Sequence, residues 1–74
     1  MTVQPGIYRH YKNILVRVVF VALHSETKEK HVVYIHLDDG KVWIRPLKMF
    51  LEEVFLDGKK VPRFEYLPEY EETK

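Results

Sequence analysis

Apolar side chains recur mainly at every second position along this chain, in short runs broken by Asp-Gly pairs and prolines. The elements this pattern predicts are strands rather than helices. The longest run, residues 14–23, is rich in valine and carries apolar side chains on both faces, which predicts a long strand that is central or bent across a barrel corner. Residues 32–37 predict a second strand of the same kind. Asp38, Asp39, Gly40 and Lys41 then carry the Asp-Gly signature of a tight hairpin that returns into residues 42–45.

Proline punctuates the second half of the chain. Pro46 pushes Arg45 toward extended geometry and itself suits the first position of a helix, which residues 47–51 continue for about one turn. Residues 53–56, the turn 57–60 and residues 61–66 predict a second hairpin, with Pro62 marking its last strand as an edge. From Leu67 to Lys74 the chain is acidic and without strand or helix periodicity. One domain over residues 1–66 and a disordered tail over 67–74 are therefore expected.

About five short strands and one helical turn, in a chain too short for a two-layer sandwich, point to an all-β, mainly antiparallel fold. The architecture expected is a small, strongly curved, partly open barrel of the SH3-like type, and the alternative is an open antiparallel sheet with a helix packed on it. The two-sided apolar pattern of residues 14–23 favours the barrel, because a sheet this small must curl to bury both faces.

Composition narrows the chemistry. A chain of 74 residues makes one domain with a small core, and the absence of cysteine removes disulfides, thiolate nucleophiles and cysteine-ligated zinc. No apolar run approaches the roughly 20 residues of a spanning helix, and Met1 to Pro5 has neither a basic region nor an apolar signal core. A cytoplasmic location without membrane association is the expectation. The net charge of +1 is unevenly placed: residues 64–74 hold four glutamates against one lysine, −3, which leaves +4 on residues 1–63. That bias is well short of the basic footprint that by itself argues for nucleic acid.

Five motifs in order, Gly6-x-Tyr8-x-His10-Tyr11-Lys12, Ala22-x-His24-Ser25-Glu26-Thr27, Val32-Val33-Tyr34, Trp43-x-Arg45-Pro46-Leu47-x-Met49-Phe50 and Val61-Pro62-Arg63-Phe64, run from about Pro5 to Phe64. Together they resemble the small bacterial domain-of-unknown-function family sixteen fifty-three. The resemblance implies an SH3-like barrel and no established activity. Where that family usually has glycine after the His-Tyr-Lys triplet this chain has Asn13, the non-glycine residue best suited to a left-handed turn.

His24, Ser25 and Glu26 contain the ingredients of nucleophilic acyl transfer. Neighbours on a strand end point to opposite faces, however, so Ser25 would need a base from elsewhere, His10 or His36, and no glycine-built oxyanion hole is nearby. The stretch from His24 to Thr27 reads foremost as a loop whose polar side chains bond the backbone, and second as a ligand contact. The four histidines have no compact metal-ligand spacing. Trp43 and Arg45, two apart on a strand, share a face. The leading reading makes Trp43 the core anchor and Arg45 a staple to Glu52 or Glu53, with Met49 and Phe50 capping the barrel mouth from inside. The alternative is a recognition face on which Tyr8, Tyr11, Tyr34 and Trp43 offer rings and Arg9, Lys12 and Arg45 offer charge.

These residues point first to a non-enzymatic recognition or accessory module binding a protein or peptide partner. Binding of single-stranded or structured nucleic acid is second, and a small-ligand or hydrolase site at His24 and Ser25 third. The candidate ligand-binding residues are Tyr8, His10, Tyr11, Lys12, His24, Ser25, Glu26, Thr27, Tyr34, Trp43 and Arg45. No catalytic residue, metal or cofactor is expected, and the sequence leaves the oligomeric state open.

Overall fold

The computed structural model describes residues 3–70. In chain order the elements are β1 (Gly6–His10), β2 (Ile14–Leu23), β3 (Lys30–His36), β4 (Val42–Pro46), α1 (Leu47–Phe50), β5 (Glu53–Leu56), β6 (Lys59–Pro62), β7 (Phe64–Tyr66) and a 3-10 turn, Pro68–Tyr70. All strand pairs are antiparallel. One five-stranded sheet has the order β4-β3-β2-β1-β7, and β5 and β6 form a separate two-stranded hairpin. The sheet is curved and not closed, in agreement with the expected all-β, partly open architecture.

The valine alternation does what its period of two demands. Val16 and Val18 of β2 and Val32 and Tyr34 of β3 point to one side and are at most 4% exposed. Between Val18 and Phe20 the β2–β3 register slips, a bulge that bends the long strand. The opposite face is covered only locally, at Ile7, which pairs with Arg17 and is 4% exposed. On the rest of it Phe20, Val42 and Ile44 stay about 60% exposed, because one helical turn and one hairpin are all the chain has left, and both lie elsewhere.

Two positions expected inside are outside. Trp43 is 47% exposed and Met49 41%, whereas Phe50 is 2% exposed. The core is anchored by Phe50 stacked on Phe64, ring centroids 4.1 Å apart and nearly parallel, with Tyr8 edge-on to Phe50 at 5.4 Å. Trp43 sits on β4, an edge strand with a neighbour on one side only, so its ring has half the cover a central strand provides. In α1, Leu47 and Phe50 are three apart and face the sheet, which turns Met49 to solvent. Four residues are too few to be helical alone; this packing holds the turn. Arg45 does not staple an acid either, since Glu52 is taken by Arg63 at 3.1 Å.

The predicted strand 61–66 is two strands. It breaks at Arg63, whose N–H donates to Glu52 O and whose carbonyl accepts from Tyr11 N–H, both at 2.9 Å; β6 stays with the hairpin and β7 crosses to pair with β1. The Asp57-Gly58 turn has both residues at positive φ, +53° and +78°, the type I′ geometry that matches strand twist. Leu67, expected in a solvated tail, is 4% exposed and donates its N–H to Ile7 O at 2.9 Å, and the 3-10 turn packs against β1. The expectation for residues 71–74 lies outside the described residues.

Candidate functional site

At one end of the sheet, strand ends and turns converge on a concave mouth of about 320 Å³. Its floor is Phe64, Tyr34 and Ile14, continuous with the core. Its walls come from four parts of the chain: His10, Tyr11 and Lys12 from the end of β1 and its turn, His36 from β3, Arg45 from β4, and Arg63 from the break between β6 and β7.

The His-Tyr-Lys triplet is held by a turn that needs Asn13 at φ +70°, as the sequence indicated. Within it, Asn13 N–H donates to His10 O at 2.6 Å and Lys12 N–H to His10 Nδ1 at 3.2 Å. The second bond makes Nδ1 an acceptor and so places the neutral ring's proton on Nε2. Tyr11 N–H donates to Arg63 O, locking the turn to the β6–β7 break. The His10 ring lies 4.6 Å from that of Tyr11 and edge-on to Phe64 at 4.9 Å.

Arg45 leans inward over the core. Its guanidinium lies 5.7 Å from the Phe64 ring centre, and its Nε donates to Tyr34 Oη in a long bond of 3.4 Å. The ion pairs formed among the described residues are Arg9–Glu65, Lys60–Glu53 and Arg63–Glu52, so neither Lys12 nor Arg45 has a carboxylate partner there. No carboxylate lines the mouth. Burial holds the His10 imidazole below its usual pKa, and the positive charges of Arg45, Arg63 and Lys12, together with His36, add to the effect. Five groups able to carry positive charge thus converge around one hollow. Arg63 Nε is buried without a hydrogen-bond partner among the described residues.

On the rim, Trp43 lies 5.6 Å from His36, which lies 6.0 Å from Tyr34 in a nearly parallel stack. These three rings form a diagonal row from solvent to core. His36 also brings a ring nitrogen within 4.8 Å of Asp38 and Asp39, a surface cluster whose two acids are exposed. A larger hollow of about 400 Å³ separates β1 and β7 from the β5–β6 hairpin, but its charged residues, Arg9 and Glu65, pair with each other.

Of the candidate residues, the structure brings His10, Tyr11, Lys12, Tyr34 and Arg45 together, with Trp43 on the rim. Tyr8 does not belong with them. It is a core ring at 7% exposure whose hydroxyl donates to Gln4 O, and burial raises its pKa. His24, Ser25, Glu26 and Thr27 lie at the opposite end of the β2–β3 hairpin. Leu23 and Val16 are seven positions apart along β2, about 23 Å of extended chain. There His24 Nδ1 accepts from the N–H groups of Glu26 and Thr27, Thr27 Oγ1 accepts from Glu29 N–H, and Lys28 at φ +64° closes the loop. Ser25 engages no histidine among the described residues, and neither His10 nor His36 can reach it. Sequence reasoning missed His36 and Arg63. His36 was legible two positions from Tyr34, on the same strand face; Arg63 was not, because only the break in the last strand turns it inward.

Strand order and mouth together make this a curled antiparallel β domain with a cationic, ring-lined hollow at one end. A family model described as protein of unknown function (DUF1653) matches residues 6–66, and the chain belongs to that family. No curated protein matches it. The crystal structure of a DUF1653 protein from Bordetella bronchiseptica is similar to it, with 34% sequence identity and a TM-score of 0.81, over 88% of this chain and 87% of that one. Among the described residues no helix is long and apolar enough to cross a membrane.

Proposed function

We propose that this domain is a non-enzymatic recognition module of the cytoplasm, and that its mouth takes the carboxylates of an acidic peptide segment on a partner protein. The observation that carries the reading is unpaired charge: Lys12 and Arg45, which have no carboxylate partner among the described residues, converge with His10 around one hollow that no acid lines, beside Arg63 held by Glu52. An arginine set against an aromatic floor is weakly hydrated and presents a planar fork that fits a carboxylate. His10 and Tyr11 offer flat surface for the peptide body. Nothing in the mouth resembles a nucleophile with its base, and the His24–Ser25 pair, bonded within its own loop, is not proposed as a catalytic site.

A second reading has its own observation. The Trp43–His36–Tyr34 row would stack bases, and the same cations would meet phosphates of single-stranded nucleic acid. Salt separates the two. An acidic-peptide pool and a single-strand oligonucleotide pool are titrated into the domain with amide and Trp43 indole signals followed at about 50 and 200 mM salt. The peptide reading expects shifts at His10, Tyr11, Lys12 and Arg45 with acidic peptides, lost in Arg45→Ala. Oligonucleotide binding that falls roughly tenfold or more over that salt range overturns it in favour of nucleic acid.

A further inference from the structure

The edges of this fold are guarded unequally. The β7 edge is three residues long, carries the charged Glu65 at its middle, and is followed by Pro68. The β5–β6 hairpin carries Glu53 at one end and Lys59 and Lys60 at the other, and ends in Pro62. Charge, shortness and proline are the usual devices that keep a strand edge from pairing. The β4 edge is also short and ends in Pro46, but over Val42, Trp43 and Ile44 it carries no charge, and these residues are 62%, 47% and 62% exposed.

The β3–β4 register tells which backbone groups this edge leaves free. His36 N–H donates to Lys41 O at 3.0 Å, and the next pairs are Ile35↔Val42, Tyr34↔Trp43, Val33↔Ile44 and Val32↔Arg45. Hydrogen-bonded and non-bonded pairs alternate in an antiparallel ladder, so Trp43 and Arg45 turn their peptide groups toward β3. Val42 and Ile44 turn theirs outward, away from the sheet. Their side chains lie on the exposed convex face, while Trp43 and Arg45 lie on the side of the mouth.

We propose that the acidic partner segment docks by strand addition to β4, a placement that rests on the mouth reading above. An added strand bonds the peptide groups of Val42 and Ile44. Its side chains then alternate: those opposite Val42 and Ile44 cover the two exposed aliphatics and are apolar, and those opposite Trp43 and Arg45 reach the rim and are acidic. Charge complementarity sets the occupant, since Arg45 is the charge on the mouth side of this edge and has no carboxylate partner among the described residues. The edge is short, ended by Pro46 and α1, so the affinity expected is modest.

The probe is an acetylated, amidated peptide of alternating valine and glutamate, (Val-Glu)3-Val, with its glutamine and lysine counterparts and twelve-residue oligothymidylate as comparators. At millimolar peptide the glutamate form is expected to slow amide exchange of Val42 and Ile44 by about tenfold or more while leaving Ser25 and Glu26 unchanged. N-methylation of the peptide amides that face β4 is expected to weaken binding about tenfold, as is Arg45→Ala. Binding that shifts His10 and Arg45 but leaves the β4 amides unprotected and tolerates N-methylation overturns strand addition and spares the mouth reading. No binding of the glutamate peptide, or equal binding of the lysine form, overturns both. Preference for oligothymidylate at low salt overturns both in favour of nucleic acid. Protection of Val42 and Ile44 by self-association without peptide assigns the edge to a second copy instead.

Discussion

The mouth and the His24–Thr27 loop carry the same kinds of side chain and differ in where their partners come from. In the loop, His24 is satisfied by the N–H groups of Glu26 and Thr27, residues two and three positions on. In the mouth, Arg45 meets Tyr34 and Phe64, residues 11 and 19 positions away, His10 meets Phe64 from β1, and Lys12 lines the same hollow from the turn that follows. A polar motif that completes its bonds locally holds a turn and leaves little for a ligand. Groups brought together by the fold from separate strands retain charge that nothing among the described residues neutralises. The contrast is sharpest for histidine: His24 closes a loop with its Nδ1, whereas His10, also accepting locally through Nδ1, sits in a mouth where burial and the cations Arg45, Arg63 and Lys12 hold its proton affinity down.

Five experiments put that contrast at risk. The largest effect is expected at the mouth's foundation: Phe50→Ala removes the ring stacked on Phe64 and should cost about 3–5 kcal/mol in a urea melt. Trp43→Ala, at the exposed rim, should cost no more than about 1 kcal/mol in the same measurement. Equal losses would return Trp43 to the core and remove it from the rim. Next, Leu67→Ala should destabilise by about 2–3 kcal/mol, because this buried side chain secures the far end of the strand that delivers His10. An unchanged melting temperature would put Leu67 with a solvated tail after all.

Arg45→Ala is expected to weaken acidic-peptide binding about tenfold while Ser25→Ala leaves it unchanged. The reverse outcome would move the site to the loop. His24→Ala, deleting the acceptor of two exposed bonds, should cost about 1 kcal/mol or less and leave peptide affinity intact.

The smallest effect is one of pH. His10 titrates below its usual 6.5 in the fold, so between that value and its lowered one the unfolded chain binds the extra proton. Its contribution to stability is therefore complete above about 6.5 and lost as pH falls toward the folded value. His10→Asn should flatten this slope in melts across pH 5–8. An anion in the mouth favours the protonated ring, so acidic-peptide affinity should rise as pH drops through the same window.

Local signals in the chain were enough to set β2 to β5, their turns and which side chains share a face, but not β1 or the division of residues 61–66 between β6 and β7. The valine alternation, the Asp-Gly pairs, Asn13 after the His-Tyr-Lys triplet and Pro46 at the end of β4 each act through backbone geometry within a few residues. Residue chemistry also brought Tyr8, Tyr11, Tyr34 and Trp43 together with Arg9, Lys12 and Arg45 under suspicion as a face of rings and cations, with His10 among the wider candidates. Period alone does not say which face of a strand is covered or how central the strand is. Only the strand order, β4 outermost and β2 in the middle, left Trp43 half exposed and buried Val16 and Val18 almost completely. Only the turn of the chain at Arg63 swung that guanidinium into the mouth and sent Phe64 under it to stack on Phe50, and only docking on β1 buried Leu67. Each of these outcomes is decided by contacts between residues far apart in the chain, and burial and convergent charge arise from such contacts alone.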